Sequence, residues 1–153
     1  MAWLELKIPP VGVFLIVAGG IAALSDWGLR AAPVGAPRWW LVSALTLGAI
    51  VLGLAAVARF GRAGTTVNPM DPSAASTVVT EGVYSVTRNP MYLALLLCLM
   101  AWSVYLGATV AWVLPFVFVA YMTRFQIQPE ERALRAAFGA PYESYLRRVR
   151  RWI

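Results

Sequence analysis

From Trp39 to Phe60 the chain reads WWLVSALTLGAIVLGLAAVARF, and no charge interrupts it before Arg59. A helix needs about 20 consecutive, predominantly apolar residues to cross the hydrocarbon core of a bilayer. This run has that length, and Trp39 and Trp40 sit where an interfacial aromatic belt is expected. The composition agrees. Hydrophobic residues make up 60% and charged residues 13%, whereas a soluble domain carries about 25% charged residues. The chain therefore reads as a membrane protein.

Three more apolar segments surround this one. Val11 to Trp27 is apolar apart from Ser25 and Asp26, with Pro9 and Pro10 fitted to its start. The opening MAWLELKIPP holds one Lys and one Glu, and no small-residue cleavage site follows the apolar run, so this run is read as a retained span. The loop GLRAAPVGAP, rich in Gly and Pro, leads to the second span. Further on, Met91 to Tyr105 and Thr109 to Thr123 are joined at Leu106-Gly107-Ala108. They read as a helical hairpin with arms short for full spans. The expected fold is all-α and polytopic, with four transmembrane helices in one domain. Residues 1–60 hold two spans, 61–90 a cytoplasmic loop, 91–124 the hairpin and 125–153 a cytoplasmic segment.

The polar parts carry their own signals. Residues 61–89 are too long for an ordinary connection, which marks either function or disorder. Gln128 to Phe138 predicts a short helix, with Pro129 in its first turn and Glu130 and Glu131 beside the positive end of its dipole. Gly139 is placed to end it. From Tyr142 to Ile153 the apolar residues fall on one side and Arg147, Arg148, Arg150 and Arg151 largely on the other. That pattern predicts an interfacial helix whose arginines meet anionic headgroups.

Charge sets the orientation. Among 13 basic residues only Arg30 and Arg38 fall on one side of a four-span arrangement; the rest share the other with both termini. The positive-inside rule makes that side cytoplasmic, in what is expected to be a bacterial inner membrane. The net charge of +6 then suits membrane lipids rather than nucleic acid. One cysteine, Cys98, and no histidine exclude an intrachain disulfide and a zinc site. Oligomeric state leaves no mark in the sequence.

Three polar stretches share the cytoplasmic rim: GRAGTTVNP (61–69), EGVYSVTRNPMY (81–92) and QPEERALRAAFGAPYESYLRRVRRW (128–152). Together they resemble the integral-membrane isoprenylcysteine carboxyl methyltransferase and phospholipid methyltransferase family. Its pattern of Gly-x-Tyr, Arg-His/Asn-Pro-x-Tyr, a hairpin, Glu-Glu and Phe-Gly-x-x-Tyr-x-x-Tyr is matched by Gly82, Tyr84, Arg88, Asn89, Pro90 and Tyr92. It continues in Glu130, Glu131, Phe138, Gly139, Tyr142 and Tyr145. The resemblance covers roughly residues 64–153.

That resemblance implies S-adenosylmethionine as methyl donor and a lipophilic acceptor, an amine, carboxylate or thiol. Arg88 is suited to the donor's carboxylate. Glu130 or Glu131 is suited to its ribose hydroxyls or to handling a proton. Tyr84, Tyr92, Phe138 and Tyr142 are suited to stacking on adenine or facing the sulfonium. Asn89 stands where many members have His, and it cannot take up a proton near neutral pH. Any base must then be Glu130, Glu131, Asp71, Glu81 or a tyrosine. Bland readings stand beside these: Arg88 as a positive-inside anchor, and the two glutamates as acids favoured by the helix dipole. A small four-span transporter or structural subunit is the other class. It expects ionisable residues inside the spans, and here the charges gather at one rim. A sterol-type reductase would want a Gly-x-Gly-x-x-Gly turn, which is absent.

Overall fold

The computed structural model describes residues 2–26, 36–64, 70, 75–107 and 112–153. Trp27, the loop carrying Arg30, the Thr65-Thr66 turn, Asp71, and Ala108 with Thr109 lie outside them. Among the described residues the chain is all-helical, with no strand. The helices are α1 (Pro10–Asp26), α2 (Ala36–Ala63), α3 (Pro90–Leu106), α4 (Val113–Tyr121), α5 (Gln128–Phe138) and α6 (Ala140–Arg148). Short 3-10 turns cover Ala2–Leu4 and Gly82–Ser85.

Helix α3 is the central element, packed along α2 on one side and against α1 on another, while α1 also meets α4. Small residues let α2 and α3 approach. Ala49, Gly53 and Ala56 follow one face of α2, and an added Cβ on Gly53 would stand 3.7 Å from Cβ of Ala94. Close backbone approach through small residues is the usual means of helix association in lipid, where the hydrophobic effect between helices is missing. On α1, Val13, Val17 and Ile21 recur every fourth residue and bury one stripe against Leu99, Phe118 and Met122. The Trp102 indole N–H donates to the Ala18 carbonyl at 3.1 Å and ties α3 to α1.

Arg38–Ala63, with mean hydropathy 2.4, is long and apolar enough to cross a membrane. Pro10–Asp26 and Pro90–Leu106 are apolar but shorter. Large apolar side chains stand outward on three helices, among them Leu15, Ile16, Leu47, Leu54, Phe116 and Val117.

Two features depart from the sequence expectations. The fourth apolar segment does not stop before α5. Met122–Ile127 winds as a π-helix, so the chain is helical without a break from Val113 to Phe138. The tail also differs: the helix expected over 142–153 ends at Arg148. Val149 is extended, at φ −119° and ψ 134°, and Arg150 makes a parallel bridge with Thr87. Tertiary hydrogen bonds from residues 87–89 outweigh the helical periodicity of the tail.

Candidate functional site

The rim is assembled around residues 82–92. Gly82 has φ +61°, and its missing Cβ leaves room for the Arg59 guanidinium, whose Nε lies 2.5 Å from where that Cβ would be. Arg59 also pairs with Glu81 at 3.4 Å. The turn presents Tyr84 inward, edge-on to Phe60 at 5.4 Å between centroids. Pro90 opens α3 with its fixed φ and missing N–H. The residues just before it are held by the tail. The Arg88 N–H donates to the Arg150 carbonyl at 3.0 Å, and the Asn89 side-chain amide to the Arg151 carbonyl at 2.8 Å. From α6, the Tyr145 hydroxyl donates to the Tyr84 carbonyl at 2.7 Å.

Glu130 and Glu131 start α5 with different partners. Glu131 is buried and accepts a bidentate pair of bonds from Arg151, at 3.0 and 2.7 Å. Arg88 approaches its Oε1 at 3.3 Å. This geometry is the strong form of a carboxylate–guanidinium pair, and its hydrogen bonds raise the Arg151 pKa. Two guanidinium groups around one carboxylate leave one positive charge in excess. Arg88 Nε is buried with no hydrogen-bond partner among the described residues.

Glu130 accepts from the Tyr92 hydroxyl at 2.6 Å and from the Gln126 amide at 3.0 Å. Both bonds fall on Oε1, so the other carboxylate oxygen carries neither. Burial pushes the Glu130 pKa up to about 7; the bonds from Tyr92 and Gln126 oppose the shift, and the neighbouring Glu131 charge adds to it. Burial likewise raises the phenols of Tyr84, Tyr142 and Tyr145. They remain protonated near neutral pH, so they are suited to donating hydrogen bonds, as Tyr145 does to the Tyr84 carbonyl, and not to acting as bases.

These groups line one cavity of about 530 Å³, within the usual range for a small-molecule site. Its charged end holds Arg88, Asn89, Glu130 and Glu131 with Tyr84, Tyr92, Tyr142 and Tyr145. The rest is apolar, lined by Pro9 to Val11, by Gly53, Leu54, Val57 and Phe60 of α2, and by Ala94 and Leu95. Of the residues singled out from the sequence, Phe138, the base candidate Glu81, Gly82 and Gly139 do not line it, and Asp71 lies outside the described residues. Sequence reasoning missed Gln126, Thr87 and the inward turn of Arg151, which it had placed with the headgroup-facing arginines. Gln126 had left a signal: an amide four residues before Glu130, one helical turn away on the same face.

Comparison with known proteins places this geometry in context. The family model described as phospholipid methyltransferase matches residues 37–141, which include both glutamates and the Arg-Asn-Pro turn. An uncharacterized protein of Haemophilus influenzae is 44% identical over 63 residues, which is 41% of this chain and the whole of that relative. No solved structure matches the chain. A match over more than half of the residues settles the family: the chain belongs to the phospholipid methyltransferases, a family of membrane methyltransferases.

Proposed function

We propose that the chain transfers a methyl group from S-adenosylmethionine to a lipophilic acceptor at the cytoplasmic face of a membrane that it crosses four times. The observation that carries this reading is the two-ended cavity, which joins a cluster of charged and phenolic groups to an apolar trough. A polar donor and a lipophilic acceptor need such a space in common.

The residues fit the donor. Arg88, with an unpartnered buried Nε beside an arginine pair one charge in excess, suits a carboxylate. Tyr84 and Tyr142 offer ring faces and phenolic donors to an adenine and ribose, and Asn89 lines the same end. When bound, S-adenosylmethionine would supply an electrophilic methyl group on its sulfonium sulfur, which would leave as a neutral thioether once the acceptor's lone pair had taken the methyl carbon. The protein's part is alignment and exclusion of water. Glu131, with both oxygens engaged by arginines, holds Arg88 and Arg151 in place. Glu130 is the group for proton handling, since a pKa of about 7 suits a base working near neutral pH. It takes the proton from an amine or thiol; a carboxylate acceptor, already ionised, does not need it. The acceptor reaches the trough sideways from lipid, past the outward-facing Val11, Leu54 and Val57.

The test is a radiolabelled methyl-transfer assay with membrane extract, paired with calorimetry of S-adenosylmethionine binding. Transfer and binding by the wild type, with binding lost in Arg88→Ala, is the expected result. No binding by the wild type sinks the donor assignment. Solute flux in liposomes without methyl transfer would favour the transporter instead.

A further inference from the structure

The residues before α1 fold back on the far side of the rod that carries both glutamates. Glu5 bridges Arg124, at 2.6 Å, and Arg132. Its side chain is 16% exposed, and the hydrogen bond from Arg124 lowers its pKa. Leu6 sits at φ +54°, the one non-glycine residue with positive φ among those described. A branched side chain rarely adopts that conformation, so its presence calls for a compensating contact. That contact is in place: the Leu6 N–H donates to the Phe125 carbonyl at 3.0 Å. The strap therefore grips the rod at 124, 125 and 132, on both sides of Gln126 and Glu130.

The gripped segment is the π-helix. A π turn holds one residue more than an α turn and occurs mostly as a short bulge inside an α-helix, frequently at functional sites. An α-helical register through Met122–Ile127 is the natural alternative. Each residue of an α-helix turns the chain by about 100°, so losing the extra residue would rotate α5 by about that angle against α4. Such a rotation carries Glu130 away from Tyr92, which is fixed on α3. The tail supports the same segment from another side, because the Trp152 indole N–H donates to Thr123 Oγ1 at 3.0 Å.

We propose that Glu5 is a positioning residue: through Arg124 and Arg132, with Leu6 on the Phe125 carbonyl, it locks the π register that brings Gln126 and Glu130 to Tyr92 in the cavity. The kinetic half of this proposal rests on reading Glu130 as the proton acceptor of methyl transfer; the structural half does not.

The test uses the full chain in lipid nanodiscs, with Glu5→Gln, Glu5→Asp and a control, Glu143→Gln, which removes the comparable Arg135–Glu143 pair between α5 and α6. Hydrogen exchange over 122–131 is measured alongside kcat, donor KM and the pH profile of kcat. The groups that set this profile around Glu130 are Tyr92, Glu131, Tyr84 and Tyr142. In Glu5→Gln, exchange over 122–131 should rise and kcat should fall about tenfold, since small misplacements near reacting atoms cost that much or more. Donor KM should change little. The midpoint of the rate rise should leave its wild-type value, because the burial that raises the Glu130 pKa and the Tyr92 and Gln126 bonds that lower it both depend on the π register. Glu5→Asp should recover most of the loss, and Glu143→Gln should leave 122–131 unchanged. Unchanged exchange over 122–131 in Glu5→Gln overturns the proposal. So does raised exchange with kcat and pH midpoint at wild-type values, which would make the strap merely structural. A wild type without methyl transfer would instead refute the proposed function, and the exchange comparison would still decide whether the strap holds the π-segment.

Discussion

Replacing Glu131 by Gln keeps the volume of the side chain and removes its charge, so no cavity contributes to the outcome. The glutamate is 5% exposed and Arg88 12% exposed, whereas Arg151 is 32% exposed. Breaking a buried ion pair by neutralising one partner costs about 3–5 kcal/mol, because the other charge stays buried and unpaired. Arg151 lies close enough to water to recover part of its loss. Arg88 does not, so the expected cost sits at the lower end, about 3 kcal/mol. That is a large share of a folding stability on the order of 5–15 kcal/mol. Unfolding of the purified protein in mixed micelles against increasing denaturant would report it. The double variant Glu131→Gln/Arg151→Met should show a coupling of about 1–3 kcal/mol, as groups in one network are not additive. A loss below about 1 kcal/mol for Glu131→Gln, or no coupling, would mean that the carboxylate is hydrated and does not organise the two arginines.

Other expectations follow from the same geometry. The Glu130 pKa is raised above the ordinary carboxylate value to about 7, so the folded state holds a proton that the unfolded state releases. Its contribution to stability is fully present below about pH 4.5 and is lost as pH rises to about 7; thermal unfolding across that window should show the decline, and Glu130→Gln should flatten it. Methyl transfer to an amine or thiol should rise through the same pH range, and the rise should vanish in Glu130→Gln. Gly82→Ala should destabilise by about 1–2 kcal/mol from left-handed strain alone, and further by displacing Arg59; thermal unfolding measures it. Trp102→Phe removes the bond to the Ala18 carbonyl and should cost about 1 kcal/mol of stability in micelles. Removing residues 149–153 should abolish donor binding in calorimetry, since it strips Arg151 from Glu131 and the carbonyl acceptors from Arg88 and Asn89.

What the sequence discloses is what local chemistry decides. Pro90 and the apolar run behind it mark the start of α3, and Pro129 and Gly139 bracket α5, because proline and glycine act through the backbone wherever the rest of the chain goes. That Arg88 and the two glutamates share one rim is legible through the family's motif spacing, but the ion pair between Arg88 and Glu131 is not. The π-segment was not, since MTRFQI carries no breaker and its winding follows from contacts with Leu6 and Trp152. Arg151 was misread for a related reason. Its alternation with apolar neighbours suits a helix in the interface, but the acceptors that Asn89 and Arg88 require lie in the tail's main chain. A side-chain pattern carries no record of which distant donor will claim a carbonyl.

The pairing of Asn89 with the Arg151 carbonyl spans 62 positions of sequence. At a translation rate of about 5–20 residues per second, Arg151 is made about 3–12 seconds after Asn89. During that interval α4 and α5 are completed, and Glu131, made 20 positions before Arg151, waits with Arg88 for the second guanidinium. The charged end of the cavity therefore closes last, after the helices that surround it are in place. Until the tail docks, the half-built chain holds an apolar trough with an unfinished polar rim, so its charged end cannot grip a ligand before the helices around it have been made.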